Sequence, residues 1–195
     1  MATTARGRSR ASSVIPKGPL EQRLKEARRS RATELDLTGL QLSELPRDVL
    51  NMDHLTSLNL RNNRLYDLPL ALGELQNIKN LDLNDNPFLA IPPVVFRLNN
   101  LHGLSLERTQ ISVIPPEIAM LENLMAIWAR SSNIELVADE IGNLKHFSIL
   151  WLQSPKIKKF PICLIQCHNL SAIFLDECEI GELPSEIGDL TKLTF

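Results

Sequence analysis

Leucine and isoleucine fall along this chain in pairs split by a single residue, and the pairs recur at a fixed interval. They open at Leu35, Leu58, Leu81, Leu104, Ile127, Leu150 and Ile173, each 23 residues after the last. A hydrophobic period of two is the mark of a strand with one face buried, so each pair predicts a short strand with its leucines inward. Other columns keep the same phase. One reads Leu42, Leu65, Phe88, Ile111, Ile134, Ile157, Ile180, and another Met52, Leu75, Leu98, Leu121, Leu144, Cys167, Leu190. A proline column runs Pro46, Pro69, Pro92, Pro115, Pro161, Pro184, with Ala138 as its one exception. The prolines mark where each coil turns back. A single coil cannot bury its own apolar face, so neighbouring coils must stack and bury it for one another.

The segment from Leu55 through Leu58, Leu60 and Asn63 to Leu65, followed by Leu68-Pro69, resembles the leucine-rich-repeat consensus. The continuations Ile114-Pro115 to Ile118 and Leu121, and Leu183-Pro184 to Ile187 and Leu190, resemble its 23-residue class. That class occurs in Ras-suppressor-like, Scribble-like and plant Ras-group proteins of the cell interior. The resemblance covers about residues 32–195. It implies an α/β solenoid of about seven repeats: a right-handed curved superhelix with a parallel sheet on the concave face. Short helices or 3-10 turns lie on its convex face. The implied function is a protein-binding scaffold or adaptor in cytoplasmic signalling, without catalysis or cofactor. The alternative is the recognition part of a larger signalling enzyme, such as a GTPase, kinase or ubiquitin ligase.

The ends differ from the middle. Residues 1–18 read as a disordered basic arm. Residues 19–31 read as a capping helix, with Pro19 at its first position and Leu20, Leu24 and Ala27 on one face. Residues 32–195 are the repeat domain, whose last repeat is incomplete and leaves an apolar edge open to self-association. Residues 1–31 hold nine basic and two acidic groups, leaving 12 basic and 21 acidic in the remainder. The arm therefore suits a membrane surface, and its Arg, Ser and Thr also suit an organelle-targeting segment. It places Ser12 and Ser13 after Arg8 and Arg10, as basic-directed kinases prefer. Without aromatics, and beside an acidic body, it argues against nucleic acid. Three clustered cysteines, Cys163, Cys167 and Cys178, form no disulfide framework and fit a reducing compartment.

Candidate chemistry lies between the inward leucines, in side chains that point to the concave face. One column reads Asp36, Asn59, Asp82, Ser105, Trp128, Trp151, Phe174, and the next Thr38, Arg61, Asn84, Glu107, Arg130, Gln153, Asp176. Three large aromatics on consecutive strands, rimmed by charge, predict a partner-binding patch. Its members are Trp128, Trp151, Phe174, Arg130, Gln153, Asp176, Glu107 and Arg61. The competing reading is that the rings only stack on one another. Ion pairs are expected between Arg130 and Glu107 and between Arg108 and Asp85. Cys163, Cys167 and His168 are too few for a structural zinc site. Asp82 and Ser105 adjoin, but strand alternation turns His102 away from Ser105, so a catalytic triad fails. After each strand a buried Asn is expected at Asn63 and Asn86. Thr109, Ser132, Pro155 and Cys178 weaken that position, so repeats four to six should be the least regular.

Overall fold

The computed structural model describes residues 18–194. The arm expected at 1–18, with Ser12 and Ser13, lies outside them but for Gly18. Seven short strands form one parallel sheet in chain order: β1 (Glu34–Asp36), β2 (Ser57–Asn59), β3 (Asn80–Asp82), β4 (Gly103–Ser105), β6 (Ala126–Ala129), β8 (Ile149–Leu152) and β9 (Ala172–Phe174). The register is the sequence period itself. Leu35 faces Leu58, Leu81 faces Leu104, and Ile127 faces Leu150, which faces Ile173. Two more strands, β5 (Val113–Ile114) and β7 (Leu136–Val137), pair separately.

Every coil returns through a five-residue 3-10 turn placed just after the proline column. Proline fixes φ near −65° and leaves its carbonyl free. That carbonyl accepts the amide three residues on, as in Val49 to Pro46 at 3.0 Å and Ile118 to Pro115 at 3.0 Å. The exception keeps the turn. Ala138 adopts φ −66° unaided, and its carbonyl accepts the Ile141 amide at 3.2 Å. Between sheet and turns lies one aliphatic core running from Leu24 to Leu190. Ala129 is fully buried in the column that holds Leu60, Leu83, Leu106 and Leu152 elsewhere.

At the N-terminal end a helix, α1 (Pro19–Ser30), packs Leu24 and Ala27 into the core. It stops where Arg31 turns left-handed at φ 49°. Two of its arginines tie it down. The Arg23 guanidinium donates to the Asp36 carbonyl at 2.9 Å, and Arg28 pairs with Asp48 of the first 3-10 turn.

The buried asparagines hold the first coils together. Asn63 Oδ1 accepts the amides of Leu40 and Leu42, while its Nδ2 donates to the carbonyls of Leu37, Leu60 and Arg61. Asn86 repeats most of this, taking the Leu65 amide and reaching Leu60, Leu83 and Asn84. The pattern then decays. Thr109 makes one such bond, to Leu106 at 2.8 Å, and the buried Ser132 hydroxyl has no partner.

A second column emerges beside it. Gly39, Asn62, Asp85, Arg108, Ser131 and Glu177 all sit at positive φ, between 48° and 72°. Ser154 breaks the series, because the ring of Pro155 restricts the residue before it. Its side chain is fully buried instead. The separate β5–β7 ladder and this broken turn confine the irregularity to repeats four to six, where the asparagines are missing.

The last strand has one neighbour. Ala172, Ile173, Phe174 and Leu175 are each only half-buried, and the chain folds back over that edge in part. Leu190 is buried and the Thr194 amide reaches the Ser171 carbonyl at 2.9 Å.

Two outcomes are expected. Asn63→Ala removes partners from several buried backbone groups at once. It should lower the unfolding free energy by about 2–4 kcal/mol, against about 1 kcal/mol for Thr109→Val. Equal losses in urea titration would refute a graded brace. The half-covered edge at β9 should make this 195-residue chain associate as concentration rises. Light scattering that gives the 22.0 kDa monomer mass throughout would show the final turn to be a sufficient cover.

Candidate partner-binding site

The residues that alternate with the core leucines all reach the concave face, but they play two roles there. In the first three repeats the side chain in the strand's last position braces its own backbone. Asp36 Oδ1 accepts the Thr38 amide at 2.8 Å, Asn59 the Arg61 amide at 3.0 Å, and Asp82 the Asn84 amide at 2.9 Å. A short side-chain acceptor is required for this turn. From repeat five the same column holds rings, which cannot brace. The strands β6 and β8 carry the pairing one residue further instead, with Ala129 opposite Leu152.

The three rings lie on adjacent strands in register, Trp128 beside Trp151 beside Phe174, each half-buried. They do not form one stack. Trp151 and Phe174 meet with centroids 4.6 Å apart and planes tilted by 32°. The Arg130 guanidinium covers the Trp151 ring at 4.6 Å, and the Trp151 indole N–H donates to Asp176 Oδ2 at 3.0 Å. This is a platform held by ring contact, cation–π attraction and a hydrogen bond. Gln153 flanks it, accepting from the Ser131 hydroxyl at 3.3 Å.

Trp128 turns the other way, over Gly103. A Cβ at Gly103 would stand 3.0 Å from the Trp128 ring and 2.8 Å from Asn80 Oδ1, so only glycine leaves the ring this berth. The ring closes one side of a 230 Å³ pocket whose other walls are Ser57, Asn59, Asn80, Leu81, Asp82, Gly103 and Ser105. Sequence reading missed this pocket. The signal was there in the column Glu34, Ser57, Asn80, Gly103, Ala126, which loses its side chain just where the indole needs space.

The expected ion pairs are partly corrected. Arg108 does pair with Asp85, through Nη2 to Oδ2 at 2.8 Å. Arg61 shares that carboxylate at 2.9 Å. Arg130, expected beside Glu107, stacks on Trp151, and the Glu107 carboxylate stands 3.6 Å from Arg108 instead. Asp85 is held below the usual carboxylate range, first by its Arg108 hydrogen bond. Asp82 is pushed up, chiefly by burial, with Glu107 and Asp85 adding to the rise and Arg61 opposing it. Ser105 shares the pocket with Asp82, and His102 is not among its walls. Burial pushes the Cys163 and Cys167 thiols up to about 11 and about 12, and among the described residues no group of three or more His, Cys, Asp or Glu is placed to hold a metal ion. No described helix is long and apolar enough to cross a membrane.

Comparison with known proteins agrees with this architecture. Residues 54–75 match the family model described as Leucine Rich Repeat. A leucine-rich-repeat protein of Leptospira interrogans superposes with a TM-score of 0.75 and 28% identity, over 82% of this chain and 41% of that one. A plant peptide hormone receptor, solved in complex with RGF2, gives 0.61 and 28% over 77% of this chain and 25% of that one. Internalin C2 of Listeria monocytogenes shares the fold at 0.64 and 21%, over 83% of this chain and 78% of that one. The fold is that of a leucine-rich-repeat solenoid, and residues 54–75 carry the sequence pattern of the repeat. It spans less than half the length of the first two. Comparison with curated protein sequences gives no match.

One consequence concerns Asp82. Its folded-state pKa is raised, so the folded state binds more protons than the unfolded one as pH climbs past the ordinary carboxylate value. Its destabilising effect is absent below that value and fully present above the raised one. Asp82→Asn should therefore raise the melting temperature at pH 7, with a gain that vanishes below about pH 4. Asn59 shows that an amide supports the same turn. A variant less stable at neutral pH would refute this.

Proposed function

We propose that the chain is a protein-binding scaffold that holds its partner on the concave face, with the platform of Trp151, Phe174 and Arg130 as the anchor. The observation behind this reading is the rigidity of an exposed aromatic surface. Trp151 is fixed on three sides, by Phe174, Arg130 and Asp176, yet stays half open to solvent. Large rings already locked in one rotamer lose little freedom on binding, and tryptophan and arginine dominate interface hot spots. Trp128, Gln153, Glu107 and Arg61 border the same face and would form the rim. A signalling role in the cytoplasm, in the manner of the 23-residue intracellular class, follows from the resemblance of the repeats. Residues 19–31 would serve as the N-terminal cap and 32–195 as the repeat domain. The plant receptor, a fold neighbour solved as a complex, is consistent with the general mode.

The test places a photo-crosslinking benzoylphenylalanine at Gln153, and in a control at the exposed convex residue Leu70. The partner captured from the concave position is then purified, and its affinity measured by calorimetry. Trp151→Ala should weaken it by about 2 kcal/mol or more while the melting temperature falls by only a few degrees. Equal capture at Leu70, or unchanged affinity in the variant, would overturn the proposal. A large loss of stability matching the loss of binding would mean that the rings serve packing alone.

A further inference from the structure

The pocket beside Trp128 is a second feature of the concave face, separate from the platform. Five of its eight lining residues carry side-chain oxygens. Asn80 Oδ1 points to the space over Gly103, and Asn59, Asp82, Ser57 and Ser105 complete the ring. The concave arginines are all engaged elsewhere. Arg61 and Arg108 share Asp85, and Arg130 lies on Trp151. Among the described residues no cation stands within ion-pair distance of the half-buried Asp82 carboxylate; Arg61 and Arg108 act on it only from farther off. A buried charge of this kind costs stability unless something pairs with it. Trp128 also lines the pocket, with the Cζ3–Cη2 edge of its ring nearest Gly103, and an indole is the best of the aromatic side chains for a cation.

We propose that this pocket receives a single lysine or arginine side chain from the protein partner, its charge on Asp82 and its methylene stem against Trp128. The volume suits one such side chain and no larger group: 230 Å³ is below the usual range for a small-molecule site. The surroundings agree, because the chain beyond residue 31 carries 21 acidic against 12 basic groups. The inference rests on the scaffold reading and adds the chemistry of the partner: an extended segment with a basic residue, seated toward the N-terminal side of the aromatic platform. Asp82 and the backbone brace it gives to Asn84 then have a joint purpose, since the brace fixes the carboxylate's direction.

The test uses the full chain and end-blocked tripeptides, Gly-Lys-Gly and Gly-Arg-Gly, against Gly-norleucine-Gly. The readout is the indole N–H resonances of Trp128 and Trp151 in nitrogen–proton correlation spectra. Saturable millimolar binding of the basic peptides, shifting Trp128 first, is the expected result. Asp82→Asn should weaken it at least tenfold, and Trp128→Ala, followed through the Ser105 amide, should do the same. Both variants must keep the other amide resonances in place, which separates a lost ligand from a lost fold. Norleucine binding as well as lysine, binding unaffected by Asp82→Asn, or no saturable shift would each overturn the proposal. Shifts at Trp151 alone would also overturn it, while leaving the platform as the partner's anchor. The crosslinking measurement at Gln153 tests that platform independently of this pocket.

Discussion

The backbone of each coil in this molecule must hydrogen-bond to the next coil at the same height, and that one constraint governs the rest. Parallel pairing puts residue i opposite residue i plus 23 along the whole sheet, from Leu35 on Leu58 to Leu150 on Ile173. Any slip would turn the inward leucines to the concave face and the polar residues into the core. The prolines and the left-handed turn residues are what keep the coils of one length. Proline supplies a φ that closes each 3-10 turn, and the positive-φ residue bends the chain away from the strand. Where Pro155 forbids that bend at Ser154, the coil still closes, because β6 and β8 are longer and their pairing compensates locally.

Strict register also converts the concave face into columns in which each position has one job. In the column of Asp36, Asn59 and Asp82 the job is internal, to accept an amide two residues on. Ring side chains at Trp128, Trp151 and Phe174 cannot do it. The same stretch has also lost the buried asparagines, replaced by Ser132, Pro155 and Cys178, so repeats five to seven give up local bracing twice over. A protein selected for stability alone would keep its braces. Giving them up just where large rings face solvent is the trade expected at a functional surface.

Most of the fold was legible because it depends on periodicity, and periodicity survives in the letters. Strand positions, register and the turns after the prolines were all visible as columns. The positive-φ column was not, because Asn62, Asp85, Arg108 and Ser131 share no residue type; only backbone geometry unites them. The site was half legible. The alignment of Trp128, Trp151 and Phe174 followed from the period, but the direction each ring takes did not. That choice turned on neighbours: Gly103 opens space on one side of Trp128, while Phe174, Asp176 and Arg130 draw Trp151 to the other. Arg130 had two candidate partners, Glu107 and an indole face, and the sequence could not rank them.

That divergence of the two tryptophans bears on whether the rings exist for packing. If stacking were their whole purpose, Trp128 would lie against Trp151, one strand away, and form a continuous pile with Phe174. It lies over Gly103 instead, leaving a pocket with a carboxylate that no cation among the described residues approaches within ion-pair distance. An open pocket beside Trp128 forgoes the ring contacts that a continuous stack would make, so packing gains nothing from it. The platform and the pocket make sense together when a partner is added. On the proposed reading, stacking serves to fix Trp151 as a rigid surface, and the open berth beside Trp128 would take the partner's charge.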